Sequence, residues 1–201
     1  FKVFELNYNL GVGAAKNRLL TYLLKQGCSY LYLLEDDVIP ISSKAITGYI
    51  TAYKKTGIEH FMFAHHNKPS DLKPWYKTKY VTCWSVPTHA YTFSTRNVIN
   101  SVGFYDENFK NAWEDLEYTK RVADAGLTTP NWYFADATDS QSWLKEIPFA
   151  IRRSVINHQK DHKKNIEMGL NYWKAKDGIG LPKLNRKDYF VMKRMLLSKD
   201  I

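Results

Sequence analysis

"YLYLLEDDVIP", residues 30–40, closes five apolar or aromatic side chains with three consecutive carboxylates. Adjacent anions repel, and each costs free energy to desolvate. A strand that ends in Glu35, Asp36 and Asp37 therefore needs a positive partner. The unbroken apolar run predicts a strand buried on both faces, the pattern of a mainly parallel sheet. In open α/β sheets, ligands bind at the carboxyl ends of such strands. If the strand continued through the acids, Glu35 and Asp37 would project to one side and Asp36 to the other. Clustered oxygen ligands of this kind suit Mg²⁺ or Mn²⁺. The plain alternative is that the acids cap the next segment or pair with nearby lysine and arginine.

Upstream, "FKVFEL" alternates like a strand and "NYNLGVG" is turn chemistry. "AAKNRLLTYLLKQG" follows as a helix, with Leu19, Leu20, Leu23 and Leu24 at helical spacing and Gly27 as its stop. Downstream, Ser42 or Ser43 caps a second helix, with Ile46, Ile50 and Tyr53 on one face and Gly57 at its end. "HFMFA" is the next strand, and residues 65–79 read as a loop. "YVTCWSVPTHAYTFS" is strand-like, with Pro87 marking an edge or a break. "WEDLEYTKRVADAG" is a helix with acids in its first turn and Gly126 after its end. "NWYFADATD" is a short strand, and helices are predicted around residues 156–176 and 187–198. These elements make an α/β core over residues 1–155 with a basic helical extension over 156–201 packed on it.

The formal charge of +9 is uneven: residues 141–201 hold 14 basic and 6 acidic side chains and supply nearly all of it. Such a tail suits an anionic polymer, nucleic acid or anionic lipid, or is a solvated cationic surface. "LNRKDYFVMKRMLLSK" has the composition of an amphipathic helix that lies on an anionic surface; packing onto the domain is the other expectation. No apolar run is long enough to cross a bilayer. Cys28 and Cys83 make no disulfide framework, so a reducing, cytoplasmic setting is the expectation, with the basic tail offering a membrane-peripheral one.

Two more constellations carry chemistry. Glu114 and Asp115 fall at a helix start, where a fixed carboxylate can act as general base towards a hydroxyl. The plain alternative is ordinary helix-start acids. "SVINHQKDHKKN" places His158 and His162 four apart, where either could complete a metal shell. Arg152, Arg153, Lys160, Lys163 and Lys164 nearby could neutralise a diphosphate or be solvated. Trp75, Trp84, Tyr91 and Trp113 could stack on a sugar or belong to the core.

Together these segments resemble the GT-A glycosyltransferases, most closely the family-2 type that uses nucleotide-diphosphate sugars. "NYNLGVGAAKNRLL" is similar to the family's N-x-G…a-x-N segment. "YLYLLEDDVIP" resembles its DxD strand, here as E-D-D. "AYTFSTRNVINSVGFYDENFKNAWEDLEYTKRVADAG" is similar to its acceptor-side block, where G-f-x-D-E-x-F leads to an E-D pair and then an arginine. The resemblance implies a GT-A-like fold and metal-dependent sugar transfer with inversion, from a nucleotide-diphosphate sugar to a hydroxyl acceptor.

It further implies Asp115 as catalytic base and Glu114 as acceptor-binding or base-orienting. Asn9, Gly11, Asn17, Arg18, Glu35 and Asp36 would touch the donor. Asp37 and His158, or His162 close behind, would hold Mn²⁺ or Mg²⁺. The family carries its nucleoside pocket in a unit ahead of the stretch matching "NYNLG", so an N-terminal half or a partner chain is expected to supply it. Two alternatives remain: a non-catalytic subunit that keeps the scaffold, and a nucleotidyltransferase or nuclease with two metals held by carboxylates.

Overall fold

The computed structural model describes residues 2–5, 8–64, 73–85, 88–110, 112–147, 161–177 and 186–197. Within them the chain is mixed α/β. Its strands form three small sheets, in the orders β1-β6-β3, β4-β5-β7 and β2-β8. The strands are β1 (Tyr30–Leu34), β2 (Val38–Pro40), β3 (His60–Met62), β4 (Tyr76–Lys77), β5 (Val81–Trp84), β6 (Tyr91–Thr95), β7 (Phe134–Ala137) and β8 (Leu144–Glu146). The helices are α1 (Val12–Lys25), α2 (Lys44–Thr56), α3 (Arg96–Val102), α4 (Glu114–Asp124), α5 (His162–Asp177) and α6 (Arg186–Leu197).

Every strand pairing among the described residues is antiparallel, which corrects the expectation of a mainly parallel sheet. The physical reason is β6. It runs between β1 and β3 with Tyr32 opposite Phe93 and Phe61 opposite Phe93, so the two outer strands share a direction but never touch as a ladder. β6, not β1, is buried on both faces throughout. Its polar residues tolerate this because they are bonded: Ser94 Oγ lies 2.8 Å from His60 Nδ1, and Thr95 Oγ1 donates to Glu59. β1 is an edge strand whose burial alternates, with Leu34 exposed.

The helices follow local chemistry. Gly27, Gly57 and Gly126 end α1, α2 and α4 with φ of +78°, +68° and +72°, the left-handed conformation that closes helices at low steric cost. α2 buries Ala45, Tyr49, Ala52 and Thr56 rather than the predicted Ile46 face, and leaves Ile46 exposed. Small alanines let the helix approach the sheet closely, and Tyr49 supplies the volume. At Gly48 a Cβ would fall 2.3 Å from the Trp143 ring, so the indole occupies the space that glycine leaves. Residues 2–5 carry no strand, since no ladder partner lies beside them among the described residues. β4 falls within the stretch expected to be loop, and α3 was not anticipated.

Three apolar clusters fill the interior. The largest joins α2 to β3, β5, β6 and β7, and takes in Met192 and Leu196 of α6. A second lies between α1, β1, α3 and α4, around Leu20, Leu31, Tyr105 and Tyr118. The third gathers Met62, Phe109, Leu116, Phe134 and Trp173, the last from α5.

One buried polar node pins the first cluster. Asp136 is fully buried, and its carboxylate accepts from Tyr49 Oη at 2.8 Å, Ser140 Oγ at 2.7 Å and the Ala64 N–H at 3.0 Å. Burial pushes its pKa up to about 7 against the pull of these three donors. Tyr49→Phe removes one of them without opening a cavity. The expected cost is about 1.5 kcal/mol, read as a lower urea midpoint at unchanged m-value.

Candidate functional site

The site forms where the carboxyl end of β1 meets the first turn of α4, with α1 alongside. The inward face of α1 carries Gly13, Ala14, Lys16, Asn17 and Leu20. A lysine on a buried face needs partners, and Lys16 has two, one near in sequence and one far from it. Its Nζ lies 3.0 Å from Glu35 Oε1 and 2.7 Å from Asp115 Oδ1. It also sits 5.4 Å from the centre of the Tyr105 ring. Burial works to lower the Lys16 pKa, but Asp115, Tyr105 and Glu35 outweigh it and raise the value above the ordinary one. The ammonium therefore stays charged. It is a positive partner for Glu35 of the acid run, and it serves Asp115 of the second acid pair as well.

β1 stops at Leu34, and a turn carries the chain through the acids to β2. The strand alternation expected for these acids therefore does not apply. Glu35 and Asp36, not Glu35 and Asp37, share a groove of about 580 Å³. Leu19, Leu23, Leu33 and Leu34 make its apolar walls, and Lys16 sits with the two acids at its charged end. Asp37 instead ties β2 to β8, its carbonyl oxygen accepting the Ile147 N–H at 2.8 Å. Among the described residues, no three His, Cys, Asp or Glu side chains converge as a metal site.

At the other wall, Trp113 adopts φ 73° just ahead of α4, a conformation L-residues rarely take. α5 holds it there: the Trp113 indole N–H donates to the Ile166 carbonyl at 2.8 Å, and its ring meets Trp173 edge-on at 6.0 Å. This turn drives Glu114 inward and leaves Asp115 against Lys16. Glu114 is 5 % exposed, and its Oε2 has no hydrogen-bond partner among the described residues. Burial first, then the Asp115 charge, pushes the Glu114 pKa up to about 7. Two neighbouring carboxyl groups thus hold different states, one ion-paired and one readily protonated. Acid and base roles divide in this way where environments separate paired carboxyls.

Behind Asp115 stands a buried polar chain. His89 Nδ1 is 3.8 Å from Asp115 Oδ2, and His89 Nε2 is 2.8 Å from Thr119 Oγ1. That hydroxyl also lies 3.5 Å from His60 Nε2, and His60 reaches on to Ser94. Burial lowers both imidazoles, with the Lys16 charge adding at His89 and the neighbouring His89 adding at His60, which falls to about 3. Both are neutral at pH 7.

The remaining predicted residues lie apart from this cluster. Asn9 Oδ1 accepts the Gly11 N–H at 2.8 Å, shaping the entry to α1. Asn17 is committed to the 105–107 loop. Its amide donates to the Tyr105 carbonyl and to Glu107 at 2.9 Å each, and its oxygen accepts the Tyr105 N–H at 2.9 Å. Arg18 is exposed on a neighbouring groove. His158 lies outside the described residues, while His162 opens α5. Of the aromatic candidates, Trp84 and Tyr91 are core residues and Trp75 is 44 % exposed. Lys16 and His89 escaped the sequence analysis. Lys16 had a signal, its place on the buried face of α1 beside Gly13, Asn17 and Leu20; His89 had none.

No protein-family model matches the chain, and no curated protein matches it.

Proposed function

We propose that the chain is an inverting sugar transferase acting on a nucleotide-diphosphate sugar and a hydroxyl acceptor. One observation carries this reading: Lys16 joins Glu35, at the end of β1, to Asp115, at the start of α4. Acids of the two clusters thereby border one charged site beside an apolar-walled groove. Such a groove suits a ligand with one flat or apolar end, and its charged end, with two carboxylates to one ammonium, would take an anionic group together with a cation.

In the proposed reaction the diphosphate lies against Lys16, whose charge stabilises the leaving group. The acceptor oxygen attacks the anomeric carbon from the opposite face, forming the new C–O bond. The bond to the diphosphate oxygen breaks with its electron pair, and the acceptor proton passes to Asp115. Glu114, protonated up to about neutral pH, donates a hydrogen bond to the acceptor or its oxygen. A divalent cation, Mn²⁺ or Mg²⁺, would add charge stabilisation at the diphosphate. The described residues do not make its site by themselves.

The test is calorimetric titration of UDP with and without Mn²⁺, coupled to turnover of UDP-sugars. Asp115→Asn is expected to keep UDP binding and to lower turnover by about a hundred- to ten-thousand-fold. A non-catalytic scaffold would show no turnover to lose, and failure to bind any nucleoside diphosphate would overturn the proposal.

A further inference from the structure

The outer face of α6 carries none of the residues of the Lys16 site. The helix buries Met192 and Leu196 in the main core. Phe190, Val191 and Leu197 are nonetheless 53 %, 49 % and 50 % exposed. Arg186, Phe190, Arg194 and Leu197 recur at helical spacing on one side, and Lys187 and Val191 adjoin them. All six are exposed, and cations alternate with large apolar groups. The Arg186 guanidinium lies 5.8 Å from the centre of the Phe190 ring, so charge and hydrophobe are in contact. Asp188, the one acid in α6, is half-buried at the edge of this face: with Val191 it borders a groove that Lys120, Asp124 and Asn131 also line, and after burial it adds to the raised pKa of Tyr133.

We propose that this face docks α6 on an anionic lipid surface. The argument is charge complementarity combined with exposed apolar bulk. A helix that lies in the headgroup plane pairs lysine and arginine with phenylalanine and aliphatic residues that enter the acyl boundary. Juxtaposed cations each strengthen partition onto anionic bilayers by about fivefold. Nucleic acid needs the cations and can stack on Phe190, but it has no use for Val191 and Leu197. The charge of the region supplies the attraction to an anionic surface, since residues 141–201 hold 14 basic and 6 acidic side chains. No described helix is long and apolar enough to cross a membrane, so the contact proposed is peripheral.

The test is co-sedimentation of the full chain with phosphatidylcholine vesicles, with and without phosphatidylglycerol. Partition is expected to be at least about tenfold stronger on the phosphatidylglycerol vesicles and to weaken with salt. Arg186→Glu with Arg194→Glu should abolish it. Phe190→Gln with Leu197→Gln should reduce it by about tenfold while far-UV circular dichroism stays unchanged, because these side chains are exposed. Equal partition on both vesicle types overturns the proposal. So does binding that the apolar pair of substitutions leaves intact, and in that case matching retention by a single-stranded oligonucleotide would reassign the face to nucleic acid. The result does not depend on sugar transfer, because none of the six residues belongs to the Lys16 site.

Discussion

Lys16→Met is expected to destabilise the protein by about 3 kcal/mol and to abolish nucleoside diphosphate binding. Methionine keeps the unbranched stem, so the packing of α1 against Tyr105 changes little. What disappears is the ammonium that lies 2.7 Å from Asp115 and 3.0 Å from Glu35. Asp115 is then left partly buried beside Glu114 with no cation on it. Removing one partner of a buried pair costs more than the pair is worth, because the remaining charge stays desolvated. Glu35 contributes less, since its side chain is 38 % exposed and water can replace the lysine. Accordingly Glu35→Gln should cost under about 1 kcal/mol. The decisive comparison is the double variant Lys16→Met with Asp115→Asn, which removes both charges and should recover much of the loss. Equal urea midpoints for Lys16→Met and the parent protein would show that the pair carries no energy in the fold. UDP binding by Lys16→Met at parental affinity would separate Lys16 from the proposed donor site.

α1, α2 and α4 were legible in the sequence because their signals are local. Leucines recur at helical spacing in α1, and Gly27, Gly57 and Gly126 each take the positive φ that a helix stop favours. The sheet was less legible, because ladder partners are set by the tertiary structure. Nothing in "YTFST" announces a strand buried on both faces, since four of its five residues carry hydroxyls. Those of Ser94, Thr95 and Tyr91 are bonded to His60, Glu59 and the Ala45 carbonyl, which lie far off in sequence. The burial assigned to β1 belonged to β6. At the site, each acid cluster was visible alone, but its meeting point was not. Lys16 was the readable link: a lysine at a position where α1 otherwise buries small and apolar residues needs a negative partner.

Glu114→Gln is expected to stabilise the protein at pH 8 by on the order of 3 kcal/mol and to leave it unchanged at pH 4. Burial, then the Asp115 charge, raises the Glu114 pKa to about 7 in the folded state from an ordinary 4.5. The folded protein therefore holds this proton more tightly than the unfolded chain does. Below about pH 4.5 both states are protonated, and the group does not affect stability. As pH rises from there to 7 the unfolded chain releases the proton first, so stability falls; above 7 both forms are ionised and the loss is complete. Glutamine mimics the protonated form, and Oε2 has no hydrogen-bond partner among the described residues to lose. His60 and His89 act in the opposite sense. Their folded pKa values are depressed, so they contribute stability above about pH 6.5 that is lost as pH falls. The parent protein is thus pulled both ways between these limits. The difference between variant and parent isolates Glu114, and urea midpoints at pH 4, 6 and 8 measure it. A difference that is flat across that range would mean Glu114 ionises as an ordinary exposed carboxylate, and the acid–base division between Glu114 and Asp115 would fail with it. Growth of the difference through pH 7 would place a protonated carboxyl beside an ion-paired one, the arrangement that lets one neighbour donate a hydrogen bond while the other takes a proton.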